Sequence, residues 1–459
     1  DGLVRNKDGT LEVEPALATE WDISDDATDN TFYHRDGVKF HDGSDFNAET
    51  VKFNFDRMLN EDHPYHETGP FPLAFFFSAV ESTEVVDDLT VRFTLNAPYA
   101  PFLSNLAYPT GLIVSPAAVE QHGAGFGRNP SGTGPFTFAE WRSNEAVVIE
   151  ANADYWDGAP ELQAVVFRPI TDANTRTAEM LAGGIDLMVE VPPVALSEFQ
   201  GDAYTVHEQA GPHVWFLILN AKEGPFADKR VRQAANYAVN KEALVNEVLE
   251  GTAEVAAGPT PPAFAWAYNP DLEPYPYDPE RARALIAEAG VEGAELTFYV
   301  TEGGSGMLDP VAMGTAIQAD LKAVGFDVKI ETYEWNTFLG EVNPGLEGKA
   351  DMAEMAWMTN DPDTLPFLAL RTAAWPDQGG FNSGYYSNPE VDELLEAARV
   401  ATDQDERARL YKEMQTIVQN DAPWVFVANW KQNAVSSDRV DSFALQPSFF
   451  LLLDDVVKN

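Results

Sequence analysis

The spacing of hydrophobic and polar positions changes character along the chain. In the first third, short apolar runs alternate with turns. Thr31-Phe32-Tyr33-His34 and Gly37-Val38-Lys39-Phe40 read as strands ahead of a tight turn at His41-Asp42-Gly43-Ser44. The period then lengthens: Val51, Phe55 and Met58 share one helical face between Asn47 and Leu59, with Asn47 suited to cap the helix and Glu49 to its first turn. Val85-Val86 and Val91 to Leu95 flank Asp87-Asp88 as a hairpin would. Together these segments predict a small strand-rich subdomain.

Further on, helical spacing over 176–182, 229–249, 279–289 and 310–324 alternates with short apolar strands at 165–167, 214–219, 296–300 and 328–330. That alternation predicts α/β sheets with crossover helices. Gly258-Pro259-Thr260-Pro261-Pro262 combines flexible and stiff residues and is the best candidate for a crossing between lobes. Two helices, 391–399 and 405–419, precede a strand at 424–428, and no internal repeat is evident. A chain of 459 residues predicts two or three compact units. No apolar stretch is long enough to span a bilayer.

Charge narrows the range of partners. There are 74 acidic and 29 basic residues, a net charge of −45. Nucleic acid and anionic membranes would be repelled by such a surface and would find no basic patch on it. One reading of the imbalance is adaptation to concentrated salt, because the Debye length falls to about 3 Å at 1 M and the crowded carboxylates stop repelling one another; the other is steering of cationic ligands, which high salt would abolish. The absence of cysteine excludes disulfides, thiolate nucleophiles and thiolate metal sites.

No catalytic signature stands out: there is no Gly-x-Ser-x-Gly elbow, no phosphate-binding loop and no His-Glu-x-x-His. Gly303-Gly304-Ser305-Gly306 lacks the lysine of a phosphate cradle and reads as a loop. His63 and His66 bring two imidazoles within reach of one ion, but two ligands without a third do not make a metal site. No cofactor is implied. A secreted hydrolase using paired carboxylates stays open as an alternative, since so many acids guarantee candidate pairs.

Two segments suit recognition of a small polar solute. Asn360-Asp361-Pro362-Asp363 follows the strand-like stretch 353–357. One reading makes Asp361 the N-cap of a helix over 365–370, with Pro362 at its first position; the other has a carboxylate receive a ligand ammonium while Trp357 supplies an apolar wall. Asn382-Ser383-Gly384-Tyr385-Tyr386-Ser387-Asn388 concentrates amides, hydroxyls and rings before a helix. Trp335, Trp357, Trp375 and Trp430 are either core residues or walls of a ligand site.

In their order and spacing, several stretches resemble a known family, the extracellular solute-binding proteins that serve as peptide, glutathione, nickel and oligosaccharide receptors of ABC importers. They are Glu14-Pro15-Ala16-Leu17-Ala18-Thr19-Glu20-Trp21, Phe32 to Gly43, Gly132-Thr133-Gly134-Pro135-Phe136, Tyr155-Trp156, Arg230-Val231-Arg232-Gln233-Ala234, Asn240-Lys241-Glu242-Ala243-Leu244, Tyr385 to Asp392 and Ala422-Pro423-Trp424. The resemblance implies an α/β, two-lobed periplasmic-binding-protein fold with a hinge. Lobe I would comprise 1–38, 143–253 and 431–459, enlarged by an inserted strand-rich subdomain at 39–142, and lobe II would be 254–430. It also implies a monomeric receptor outside the cytoplasm, either free in the periplasm or held at the outer face of the membrane, with any lipid anchor on a segment not in this sequence. Such a receptor closes over a peptide-like solute between its lobes, or over an oligosaccharide or metal chelate, and delivers it unchanged to a membrane permease. Trp357, Thr359, Asn360, Asp361, Asp363, Asn382, Tyr385 and Trp335 are the ligand-binding residues expected from it. Asp361 would receive the ammonium, after a spacer shorter than in peptide-binding relatives, and Arg128 or Arg371 would pair with a carboxylate.

Overall fold

The computed structural model describes residues 1–304 and 307–459. Ser305 and Gly306 of the glycine-rich run lie outside the described residues. The chain forms two compact units: residues 1–187 with 399–402 and 436–459, and residues 188–398 with 403–435. By compactness the division therefore falls at 187/188 and 435/436, not at the expected 253/254 and 430/431. The reason is a single sheet, described below, that pairs strands from 204–219 and 253–255 with the long strand 424–437.

In the first unit, β1 (Val4–Asn6) and β2 (Val13–Pro15) pair, and β3 (Ala18–Ile23), β4 (Asp29–His34), β5 (Val80–Asp87) and β6 (Thr90–Leu95) form an antiparallel sheet in the order β3-β4-β6-β5. Alternation puts Phe32, Val91, Phe93 and Leu95 on its covered face. There they meet helix α1 (Ala48–Leu59) in a cluster of edge-to-face rings, with Phe55 and Phe93 4.7 Å apart between centroids. Asn47 caps α1 as expected, and the cap is reciprocal: the Asn47 side chain accepts from the Thr50 amide while Thr50 Oγ1 accepts from the Asn47 amide. Residues 37–40 do not form the expected strand. Only Lys39 and Asp45 bridge, and Val38 and Phe40 are drawn into the core by burial without a ladder. Short helices α2 (Phe102–Leu106) and α3 (Pro116–His122) precede a three-stranded sheet of β7 (Phe136–Arg142), β8 (Ala146–Ala151) and β9 (Ala164–Phe167), followed by α4 (Ala173–Leu181).

The second unit is built on a sheet of β10 (Leu187–Val189), β11 (Tyr204–Ala210), β12 (His213–Leu219), β13 (Ala253–Val255), β14 (Glu295–Thr301), β15 (Asp327–Tyr333), β16 (Met352–Met358) and β17 (Trp424–Ser437). The main order is β10-β17-β12-β16-β14-β15, and β11 and β13 also pair with β17. Every residue of β12 is buried, as expected of a strand covered on both faces. Trp215, Leu217 and Leu219 point into a core shared with α5 (Lys229–Ala238), α7 (Pro279–Ala289) and α8 (Pro310–Ala323). On the opposite face, Phe216 stacks on Trp424 at 4.1 Å.

The expected helix over 229–249 is broken. α5 stops at Ala238, Asn240 caps a new turn α6 (Lys241–Ala243), and residues 244–248 continue as a π-turn. Asn240 accepts from the Ala243 amide, and its own amide donates to Asp320 of α8. The side chain thus competes with helix continuation for the backbone, although the apolar spacing runs on unchanged. The remaining helices are α9 (Trp335–Val342), α10 (Thr364–Ala369), α11 (Pro389–Val400) and α12 (Gln404–Asp421).

One carboxyl group inside this sheet carries a testable consequence. Glu354 on β16 is fully buried; its Oε1 accepts the Thr301 amide at 2.8 Å and its Oε2 has no partner. Burial raises its pKa well above the ordinary 4.5. A raised folded-state value means that the stability contributed by this group is complete below pH 4.5 and is lost as the pH rises through the folded value. Glu354→Gln, which keeps the shape and discards the titration, is therefore expected to match the native chain in acid and to exceed it increasingly above pH 4.5, by up to about 1.4 kcal/mol per pH unit. Urea unfolding midpoints across the acidic and neutral range check this; parallel pH profiles for the two proteins would refute it.

Candidate functional site

β14, β15 and β16 are mutually parallel, so their carboxyl ends lie along one edge of the second unit's sheet. In α/β sheets this edge is where ligands are received, because loops leaving parallel strands can present side chains there without disturbing the core. Trp335 opens α9 directly beyond β15. Gly304, beyond β14, packs against it so closely that a Cβ at this position would stand 2.3 Å from the indole. Trp335 also stacks on Phe338 at 5.9 Å. Trp357 lies next to the end of β16, half-buried, edge-on to Phe381 at 5.6 Å.

β12 runs opposite to β16, with His213 paired to Met358, and so contributes its start to the same edge. The Thr359 amide donates to the Pro212 carbonyl at 3.0 Å, and the His213 ring meets Trp430 of β17 at 5.4 Å. Trp430 is among the tryptophans for which the sequence leaves two readings open. His213 escapes sequence reasoning; its only signal is a polar residue opening an otherwise apolar run.

The loop 359–363 is held from behind. Asp361 is 3% exposed, and its Oδ1 accepts both from Arg407 Nη2 of α12 and from the Asp363 amide, each at 2.9 Å. The Arg407 guanidinium lies 5.0 Å over the Trp266 ring and contacts Tyr411 Oη at 3.3 Å. Burial alone would lower the Arg407 pKa, but the facing Asp361 carboxylate, together with Tyr411 and Asp363, outweighs it and raises the value. The expected N-cap at Asp361 is displaced. α10 begins at Thr364, and Asp361 makes an Asx turn to Asp363 instead, because Pro362 and Asp363 close a tight turn before the helix. Asn360 sits at the front of this loop and accepts from Thr364 Oγ1 at 3.0 Å.

The other expected site residues are placed differently. Asn382 is buried and reaches backbone on both sides: Nδ2 donates to the carbonyls of Arg371 and Tyr386, and Oδ1 accepts the Tyr386 amide. Tyr385 sits at the opposite end of the β12–β16 pair, where the Ala221 amide bonds the Gly384 carbonyl and Lys222 Nζ lies 4.5 Å over the Tyr385 ring. Trp357 is the sixth of the seven residues of β16, so five strand steps, about 17 Å, separate it from that end. Arg371 pairs with Glu396 and lies 3.6 Å over the Phe367 ring. Arg128 belongs to the first unit, where it covers Trp141 at 3.6 Å and donates to Ser143. Among the described residues, no group of three or more His, Asp or Glu is arranged to hold a metal ion. His66 Nδ1 instead bonds the Arg57 carbonyl.

Residues 12–378 match the model of the bacterial extracellular solute-binding proteins, family 5. The chain belongs to this family. It is 36% identical to Heme-binding protein A of Haemophilus influenzae, over 97% of this chain and 84% of that protein. It is 34% identical to the dipeptide-binding protein of Escherichia coli, over 93% and 83% of the two chains. Among solved structures, the ABC transporter-associated periplasmic binding protein DppA from Helicobacter pylori, in complex with the peptide STSA, superposes with a TM-score of 0.85 at 33% identity, covering all of this chain and 92% of its own. Solute binding is the activity of this family, whose members are extracellular. Among the described residues of this member, no helix is long and apolar enough to cross a membrane.

Proposed function

We propose that this protein is the extracytoplasmic receptor of an ABC importer and that it captures a small peptide-like solute without changing it chemically, using the carboxyl edge of β14–β16. The observation that carries the reading is the set of aromatic and polar groups on that edge in a chain that belongs to family 5. From Trp430 on β17 to Trp335 after β15 the edge spans four strand spacings, about 19 Å, enough for a few extended residues at about 3.4 Å each. In this reading Trp357 and Trp335 are the apolar walls, and Thr359 and Asn360 supply polar contacts. Asp361 and Asp363 fix the loop that carries them rather than meeting the ligand ammonium. Peptides accord with the names of the Escherichia coli and Helicobacter pylori relatives.

Titration calorimetry with di- and tripeptides in molar salt tests the reading, with glutathione and haem as comparison solutes. A peptide should bind and be recovered intact, and at 100 times its dissociation constant should stabilise the protein by about 2.7 kcal/mol. Trp357→Ala should weaken that binding by about 2 kcal/mol, roughly thirtyfold, through lost apolar contact. Peptides that fail to bind, that are hydrolysed, or that ignore the Trp357 substitution would sink the proposal.

A further inference from the structure

A cavity of about 480 Å³ lies wholly within the first unit, between the end of α1 and the segments 68–73, 109–114 and 126–127. Its lining is mostly apolar and includes Phe55, Met58, Phe71, Leu112 and Phe126. Into this lining α1 places Arg57, which is 8% exposed and whose Nε and Nη1 are enclosed with no hydrogen-bond partner. Among the described residues no carboxylate pairs with it, in a chain that has 74 acids to choose from. Its charge-related contacts are with the rings of Phe71 at 5.1 Å and Phe126 at 5.7 Å. Phe71 holds its ring there from left-handed backbone, φ 39°, a conformation unfavourable for a bulky residue.

A desolvated guanidinium without a counter-ion is an expensive group to keep. Arginine stays protonated in proteins, so it cannot escape by losing its charge. Ring faces offset part of that cost, but they leave the donors unused. What completes the arrangement is one negative charge on an apolar body. We infer that this cavity is a binding site, separate from the carboxyl edge of the second unit, for a small organic monocarboxylate with an aromatic or branched aliphatic body whose carboxylate meets Arg57. The volume falls in the range of sites for small organic ligands, and the apolar lining disfavours fully hydrated anions such as free phosphate. The acidic surface does not prevent entry in concentrated salt, where it is screened within a few ångströms.

The test uses the whole chain and two probes of one shape, 3-phenylpropionate and its neutral amide, followed by ligand-observed NMR and calorimetry in the same molar-salt buffer. The acid should bind at least about tenfold more tightly than the amide, as expected of a charge-assisted contact in an apolar site. Arg57→Met should abolish the preference. Leu112→Trp, at the partly exposed rim of the cavity, should block both probes while leaving any peptide binding in the second unit unchanged. Equal affinity for acid and amide, no binding of either, or binding untouched by Leu112→Trp each overturn the assignment, and the first two do so even if Arg57→Met fails to fold.

Discussion

Asp361→Ala should lower the unfolding free energy by about 3 kcal/mol, because it removes the carboxylate bonded to the buried Arg407 guanidinium and leaves Asp363 as the other acid whose charge acts on it. The side chains of the pair are only 4% and 10% exposed, so solvent cannot take over the lost partner. In the double variant Asp361→Ala/Arg407→Met the cation is gone as well as the partner, and part of the loss should be recovered, since replacing a buried pair by apolar groups is often close to neutral while the buried Asp363 loses the Arg407 charge. A residue of about 1 kcal/mol should remain, from the Asp363 amide that also donates to Asp361. Guanidinium-free denaturation in urea, with salt held constant, measures all three proteins. If the single variant is as stable as the native chain, the ion pair is not what holds the loop, and Asp361 is not its anchor.

Lys241→Met is expected to act in the other direction. Lys241 is 4% exposed, its ammonium has one long contact, to Asn236 Oδ1 at 3.5 Å, and it lies 5.6 Å over the Tyr275 ring. Burial pushes its pKa from 10.5 down to about 7. A lowered folded value for a base means that the unfolded chain binds the extra proton between pH 7 and 10.5. The native protein therefore gains about 1.4 kcal/mol of stability per pH unit over that window and carries the full burden below it. Methionine removes the burden but leaves Asn236 Oδ1 short of a donor, so the net gain at neutral pH should be on the order of 2 kcal/mol. The gain should shrink as the pH climbs toward 10.5 and be constant in acid. Thermal unfolding across that range checks the sign, and a variant less stable than the native protein at neutral pH would contradict the argument.

Both residues show where sequence reading runs short. Local pattern is enough for α1, because an Asn cap and an apolar stripe are contained within a dozen residues. It is enough for β12 and the helices α7 and α8 for the same reason. It does not reveal the break after Ala238, since Val231, Ala234 and Ala238 before it and Leu244, Val245 and Leu249 after it are all buried and keep the helical spacing. The decisive contact there, from the Asn240 amide to Asp320, crosses 80 residues. Asp361 and Arg407 are 46 residues apart, so the run Asn-Asp-Pro-Asp shows a turn and two acids but not the guanidinium behind them. The run 382–388 looks like one chemical unit because its amides and rings are adjacent in sequence. Folding turns Asn382 inward and carries Tyr385 to the far end of a strand pair, a result of topology that composition cannot announce. The family-level motifs are legible because they are contiguous. Which side chains face a solute depends on strand direction, and that is fixed by pairing between distant segments.

Asn382 binds three backbone groups from two neighbouring turns and so acts as an internal bracket, while Trp335 and Asn360 stand beyond the strands and Trp357 sits one residue before the end of β16. If those residues meet the solute as proposed, a mechanical division of that kind would let cargo preference drift: exchanging one of them would alter what is welcomed without loosening the bracket, and a new preference would arise while the frame that carries it stays as it was.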